Sequence, residues 1–154
     1  MRSLEFEVRG LPVAQGSARA FMAGGKAHIA SEGNRPRSPL GSWRSSIAQE
    51  ARTTIGMDPA ITGPVAVSAV FWMPRPRSHY LPANRTRPAP VLRVDAPVFC
   101  MTKPDADKLA RAVLDAITVV AIGDDAAVVI LSAQKRYADP HPVGVRIRIL
   151  EAWF

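Results

Sequence analysis

The stretch from residue 103 to residue 125, "KPDADKLARAVLDAITVVAIGDD", contains the clearest helical pattern in the chain. After Pro104, apolar residues recur at the i, i+4, i+7, i+8 and i+11 positions that line up along one face of an α-helix. These residues are Leu109, Val113, Ala116, Ile117 and Val120. The spacing predicts a helix that begins near Pro104 and buries this stripe, while acidic residues lie at both of its ends.

Four carboxylates flank the predicted helix in an otherwise basic chain. Asp105 and Asp107, the first acidic pair, lie where the helix begins, and Asp124 and Asp125, the second acidic pair, follow it. The formal net charge is +7, so acidic residues gathered here indicate a divalent cation held between them. Mg²⁺ prefers hard oxygen ligands and keeps several waters. The four aspartates are therefore candidate metal ligands, and such a site activates water and neutralises a phosphodiester.

The sequence leaves the distance between the two acidic pairs open. A helix of this length spans about 20 Å at 1.5 Å per residue, which places the pairs at opposite ends of its axis. They meet only if residues 118–125 fold back, or if Asp125 begins a strand that runs alongside the helix. A strand that returns towards the helix start would still begin far from it.

Each acidic pair also has a purely structural alternative. A carboxylate of the first pair could cap the helix and favour its positive end. The second pair could be ordinary turn residues. Arg111 could pair with Asp107 or Asp115 on the helix surface, at a spacing of four residues.

Over the whole chain, basic side chains outnumber acidic ones, with 20 Lys and Arg against 13 Asp and Glu. This excess favours an anionic partner, most commonly nucleic acid. The Pro- and Arg-rich segment at about residues 74–98 is either a solvated insertion or an arm that grips phosphates, and the basic residues favour the arm. The candidate DNA contacts are Arg19, Lys26, Arg75, Arg77, Arg85, Arg87 and Lys103. The candidates that stabilise charge at a reacting phosphate are Lys103, Arg111 and Lys135.

The remaining patterns predict an α+β fold. Alternating apolar residues, β-branched runs and breakers give the chain order β, loop, α, β, long loop, α, β, β. The first half of the chain is predicted to form a strand at 4–8, a loop at 14–38 with a hairpin around Gly24-Gly25, a helix at 42–55 capped by Ser42, and a strand at 64–72 covered on both faces. The 74–98 loop and the helix after Pro104 follow. The chain then forms a strand at 126–137 and a strand at 143–150, with Val143, Val145, Ile147 and Ile149 of the last strand facing inward. We expect one domain, residues 1–154, with a mixed β-sheet and two main helices.

Several other classes of protein are disfavoured. Cys100 is the single cysteine, so no internal disulfide forms, a reducing intracellular setting fits, and the thiol is expected to be structural. No signal peptide or membrane span is expected, which favours the cytoplasm. The three histidines are scattered, and we find no zinc spacing, P-loop or GxSxG elbow. No organic cofactor is expected.

The segments "KPDADKLARAVLDAI" and "GDDAAVV", followed by Lys135, resemble the RusA family of Holliday-junction resolvases. The resemblance is close over about residues 99–137, and the long Pro/Arg loop is similar to bacteriophage versions of the family. It implies a metal-dependent endonuclease that cuts four-way DNA junctions as a homodimer, with Mg²⁺ as cofactor and Mn²⁺ as a substitute. It also implies that Asp105, Asp107 and Asp125 form the metal site, with Asp124 an adjacent acid and Lys135 the family's later lysine.

Three positions depart from the family pattern. Arg111 replaces a helix lysine, Lys108 replaces an asparagine, and Ala127 replaces a glutamine. Arginine keeps the positive charge but cannot give up a proton. Two other functions therefore stay open beside a junction resolvase. One is a DNA-junction-binding protein without catalysis, and the other is a nuclease of the same fold that cuts flaps or forks.

Overall fold

The computed structural model describes residues 1–16, 19–30 and 37–152, with the backbone alone for residues 19–21 and 28–30. The described chain forms two helices and eight strands. They are β1 (Ser3–Arg9), β2 (Arg19–Ala23), β3 (Lys26–Ala30), α1 (Pro39–Ile55), β4 (Val65–Met73), β5 (Tyr80–Leu81), β6 (Val91–Leu92), α2 (Ala106–Ile117), β7 (Val128–Tyr137) and β8 (Gly144–Glu151). Short 3-10 helices occupy Arg77–His79 and Asp125–Ala127. The predicted α+β class with two main helices is confirmed.

The main sheet has four strands in the order β1-β8-β4-β7. β8 pairs antiparallel with β1 and with β4, whereas β4 and β7 are parallel. The sheet is therefore mixed, as predicted. Because β4 and β7 are parallel, the chain between them must cross back along the sheet, and α2 lies in that crossover. β7 is an edge strand of the sheet.

Both helices pack on one face of this sheet, and the core lies between the helices and the sheet. Alternate residues of β1 and β4 turn towards the helices and are buried, as the period-two pattern of an amphipathic strand requires. The centre of the core contains Val67, Phe71, Leu109, Ile117, Ile147 and Ile149. Val143 was expected among these residues, but it precedes β8 and is half-buried.

The prediction that β4 is covered on both faces was wrong. Within the described residues no helix packs on the second face, where Ala66, Ser68 and Val70 are half-buried. Trp72 is buried there by smaller contacts: its ring stacks on His141 with centroids 3.4 Å apart, and Arg146 lies over it at 5.2 Å. The continuous apolar run predicted a strand covered by other elements on both faces, but on the second face His141 and Arg146 cover Trp72 instead.

Helix α1 begins earlier than the sequence predicted. Ser38, not Ser42, is the N-cap, since its hydroxyl accepts a hydrogen bond from the Gly41 amide at 3.0 Å. Pro39 fits the first helical position because it has no amide hydrogen to leave unpaired. The apolar stripe of Trp43, Ile47, Ala51 and Ile55 is buried as predicted. Neither helix of the described chain has the length and apolar character needed to cross a membrane.

The two predicted loops contain more order than expected. β2 and β3 form the predicted hairpin, and Gly24 and Gly25 at its tip have φ values of 58° and 72°, which glycine adopts without strain. Residues 17–18 and 31–36 of the same loop lie outside the described residues. The 74–98 segment, predicted as a loop, contains the antiparallel β5–β6 ladder. Such two-residue strands are too short to produce a detectable sequence period.

Replacing Ser38 by alanine should lower the free energy of unfolding by about 1 kcal/mol, because one amide of the first turn of α1 loses its capping acceptor. Urea unfolding of Ser38→Ala and Ser42→Ala measures this difference. Ser42 is exposed inside the helix, so its substitution should change little. An equal loss from both variants would contradict the observed start of α1.

Candidate functional site

The first acidic pair lies at the exposed start of α2. Asp105 occupies the N-cap position, yet its side chain accepts no capping hydrogen bond. Its Oδ2 lies 3.6 Å from the Lys108 ammonium, both side chains being about half exposed. Asp107 lies in the first turn of the helix and is also exposed. Both carboxylates therefore keep oxygen atoms available to a ligand, and capping does not account for the pair.

Lys135 ties the end of β7 to the segment that enters α2. Its ammonium donates hydrogen bonds to the backbone carbonyls of Thr102 at 2.6 Å and Pro104 at 2.8 Å. Its own carbonyl accepts from the Cys100 amide at 3.1 Å. An ammonium has three N–H donors, so one is left for another acceptor. The predicted phosphate-stabilising lysine thus lies beside the first acidic pair and fixes the backbone that precedes Asp105.

The second acidic pair forms a turn before β7. The Asp124 carboxylate accepts a hydrogen bond from the Ala126 amide at 2.8 Å and so caps the short 3-10 helix. This hydrogen bond, with a further one from Asp125, lowers the pKa of Asp124. The structural alternative is therefore correct for Asp124, whereas the Asp125 carboxylate is exposed and caps no helix in the described residues.

The structure does not bring the two acidic pairs together within one chain. α2 starts beside Lys135, near the end of β7, while the second pair precedes the start of that strand. The seven residue-to-residue steps from Val128 to Lys135 span about 23 Å at about 3.3 Å per step. Among the described residues, no group of three or more acidic, histidine or cysteine side chains is placed to hold a metal ion. One chain thus supplies two of the predicted ligands at one place.

Arg111 is exposed on α2, one turn after Asp107. Over the part of the chain that the structure describes, it forms no ion pair with Asp107 or Asp115, so the pairing predicted as an alternative was wrong. Asp115 instead pairs with Arg44 of α1 at 3.0 Å, which ties the two helices together. The Arg111 guanidinium is therefore available to an anion at the start of α2.

Gln15 also lies beside this site, and no local motif of helix, strand or metal-ligand spacing marks it in the sequence. Its amide donates to the Lys108 carbonyl at 3.0 Å, so the segment after β1 passes along the first turn of α2. Its side-chain oxygen is buried and finds no hydrogen-bond donor within the described ranges. A side-chain amide oxygen, like the carboxylates of the first acidic pair, is the type of hard oxygen donor that Mg²⁺ prefers. No local motif could have placed Gln15 here, because the contact joins residues far apart in sequence.

The predicted DNA-contacting residues fall into two groups. Lys26, Arg77, Arg85 and Lys103 are exposed. Arg75 is used internally, since its guanidinium donates to the carbonyls of Ala138 at 3.0 Å and Pro97 at 2.8 Å and lies over Tyr137. Arg87 is half-buried and donates to the Pro82 carbonyl at 3.0 Å. The side chain of Arg19 lies outside the described part of the structure.

The fold and this site together define a small α+β protein with exposed carboxylates set among basic side chains. The family model described as Endodeoxyribonuclease RusA matches residues 10–150, so the chain belongs to the RusA family of endodeoxyribonucleases. The chain is also similar to the "Uncharacterized protein YqaN" of Bacillus subtilis (strain 168). The two are 31% identical over 159 aligned positions, which cover 99% of this chain and 100% of the relative.

Replacing Lys135 by methionine should loosen the segment that enters α2, because two carbonyls lose a charged donor. We expect the free energy of unfolding to fall by about 1–2 kcal/mol and amide hydrogen exchange to accelerate from Cys100 to Asp107. Lys103→Met, which changes an exposed lysine of the same segment, is the matched control. Unchanged exchange in Lys135→Met would show that these hydrogen bonds do not order the segment.

Proposed function

We propose that this chain is a Mg²⁺-dependent, structure-selective endonuclease that resolves four-way DNA junctions as a homodimer in recombination and repair. The observation that carries the proposal is the family match across residues 10–150, combined with two exposed carboxylates at the start of α2. Mn²⁺ is expected to replace Mg²⁺. The reaction needs no organic cofactor and no membrane, and its substrate places the protein in the cytoplasm with the DNA.

In this proposal Asp105, Asp107 and Asp125 bind the metal, and Asp124 supports Asp125 from the adjacent position. Bound Mg²⁺ supplies a water of lowered pKa and neutralises charge on the phosphodiester. The carboxylate of Asp105 has only a loose partner in Lys108, at 3.6 Å, so binding a cation breaks no strong hydrogen bond. The side-chain oxygen of Gln15 is buried and accepts no hydrogen bond within the described ranges, so a hydrogen-bond donor brought to it would satisfy an unpaired acceptor.

Arg111 and Lys135 stabilise negative charge at the phosphate. Arg111 presents an exposed, planar and positively charged fork that matches phosphate oxygens. Lys135 contributes its third N–H, while its other two hold the backbone before Asp105 in place. Charge stabilisation is thus available from both sides of the first acidic pair, without either residue transferring a proton.

Basic residues away from the metal site hold the DNA backbone. Lys26, Arg77, Arg85 and Lys103 are exposed, and we assign them direct phosphate contacts together with Arg19. Arg75 and Arg87 donate to backbone carbonyls of the 74–98 segment and its surroundings, so their contribution is chiefly to shape the arm. A homodimer would present two such arms, and its twofold symmetry suits the symmetry of a four-way junction.

Asp107→Asn should abolish cleavage of a labelled synthetic four-way junction in Mg²⁺ and leave junction binding intact, because the amide keeps the shape of the carboxylate but loses its charge. Paired cuts in the junction, absent from a linear duplex and lost in EDTA, are expected for the natural protein. Asp58→Asn is a matched control, since Asp58 is an exposed acid paired with Arg2 at 3.6 Å. Full cleavage by Asp107→Asn would exclude a metal role for this residue.

The same assay separates the two other functions. Tight junction binding by the natural protein with no cuts in Mg²⁺ or Mn²⁺ would identify a binding protein without catalysis. Cleavage of flaps and forks at the rate of four-way junctions would identify a nuclease of relaxed selectivity.

Arg85→Gln should weaken junction binding for every sequence tested and lower the slope of log K against log salt by about one, because one phosphate contact is lost. Fluorescence anisotropy at several salt concentrations measures the slope. Arg75→Gln is the matched comparison, since it removes an internal contact and should reduce thermal stability instead. Equal slopes for Arg85→Gln and the natural protein would remove Arg85 from the DNA surface.

A further inference from the structure

A pocket lies in the 74–98 segment, and none of its lining residues belongs to the candidate metal site. Its volume is about 800 Å³, within the range of about 300–1,000 Å³ that is usual for pockets that bind small organic groups. Six residues line it: Arg77, Ser78, Tyr80, Pro82, Ala83 and Pro90. The prolines, the alanine and the aromatic ring make most of the lining apolar. Such a pocket is suited to a flat, largely apolar group rather than to an ion.

Hydrogen bonds hold the walls of this pocket in place before any ligand binds. The Tyr80 hydroxyl donates to the Asp139 carboxylate at 2.7 Å, which fixes the ring against the loop that follows β7. The Asn84 side chain accepts from the Arg87 amide at 2.8 Å, and the Arg87 guanidinium donates to the Pro82 carbonyl at 3.0 Å. The turn between β5 and β6 is thus tied to a wall of the pocket. A preformed pocket costs less conformational entropy when a ligand enters it.

The pocket belongs to a strongly basic segment. Residues 74–98 contain five arginines and one aspartate, and that aspartate, Asp95, is already paired with Arg93 at 3.0 Å. Arg77 lines the pocket itself, and Arg85 is exposed on the same segment. Proteins that bind single-stranded nucleic acid combine positive charge for the phosphates with an apolar or aromatic surface for the bases. Both parts of that combination are present here.

The 74–98 segment is attached to the same end of β7 as the first acidic pair. The Tyr137 ring meets the His79 ring edge-on with centroids 4.8 Å apart, and the Tyr137 amide donates to the Val98 carbonyl at 2.9 Å. Lys135 lies two residues earlier in β7 and binds the backbone just before Asp105. Two steps along a strand span about 7 Å. The segment that carries the pocket and the first acidic pair therefore border the same end of the sheet.

We propose that this pocket receives one unpaired base of a branched DNA, while Arg77 and Arg85 contact the phosphates beside that base. The inference rests on the proposed function, because it names a feature of the substrate that the same enzyme would recognise. A linear duplex keeps its bases paired and stacked, and taking one base out of the stack is costly. A base at a branch point that is already unpaired enters the pocket at lower cost. The pocket therefore favours branched DNA over a linear duplex.

The lining residues indicate how the base is held. Tyr80 offers an aromatic ring, and stacking on such a ring accepts all four bases because each base has a π-face. Ser78 offers a hydroxyl group that both donates and accepts hydrogen bonds. An apolar side chain of another protein would fill the pocket but would leave the nearby arginines without an anion. The lining therefore favours a nucleotide, with little preference among the bases.

Filling the pocket tests the inference through binding alone, by fluorescence anisotropy in EDTA so that no strand is cut. Ala83→Phe adds a ring at the wall of the pocket, whereas Ala89→Phe adds the same ring to an exposed residue that does not line it. Ala83→Phe should lower the affinity for a four-way junction about 10-fold, because the base loses its place against Tyr80. Ala89→Phe should change it little, and neither variant should alter the affinity for a linear duplex. Junction affinity of Ala83→Phe equal to or above that of Ala89→Phe would overturn the proposal and assign the pocket to a partner protein.

Removing bases from the DNA tests the same contact with the natural protein. Single abasic nucleotides are placed in turn at each position next to the branch point of the junction. At one position the abasic junction should bind the natural protein about 10-fold more weakly than the intact junction, whereas Ala83→Phe should bind both alike. Equal binding of intact and abasic junctions by the natural protein at every position would overturn the pocket while leaving the proposed function standing. Failure of the natural protein to bind any junction would instead overturn the proposed function itself.

Discussion

The parallel pairing of β4 with β7 is the constraint on which the rest of the structure depends. Parallel strands cannot be joined by a tight turn, so the chain must return along the sheet before β7 begins, and α2 makes part of that return. α2 consequently runs against β7, and its start lies at the end of β7, where Lys135 hydrogen-bonds to the Pro104 carbonyl. This topology therefore places the first acidic pair beside Lys135, near the end of β7.

The carboxylates at the start of α2 lie where negative charge is favourable, and neither is used to cap the helix. Asp105 and Asp107 lie at the positive end of the helix dipole, a position that favours negative charge. Asp105 makes no capping hydrogen bond, in contrast to Asp124, whose oxygen binds the Ala126 amide. The difference separates the two acidic pairs: the carboxylates of the first pair are exposed and do not cap α2, whereas the Asp124 carboxylate of the second pair caps the short helix that follows it.

Local patterns predicted the helices, the main strands and the buried stripes, because each depends on side chains a few residues apart. They failed where competing signals lay close together or where distant residues meet. Two serines near the start of α1 could each cap it, and Pro39 favours Ser38. The Gln15 contact with Lys108 and the Arg44–Asp115 ion pair join separate elements. The distance between the acidic pairs depends on strand order, which no local pattern encodes.

Arg111 shows how a departure from the family pattern can alter one property and keep another. The guanidinium lies exposed one turn after Asp107, with no ion pair to Asp107 or Asp115 in the described structure. Its planar fork can bind two phosphate oxygens at once. A lysine could also donate a proton to a leaving oxygen, whereas arginine cannot. Arginine in place of the family lysine therefore keeps the positive charge on this face of α2 and loses the capacity for proton transfer.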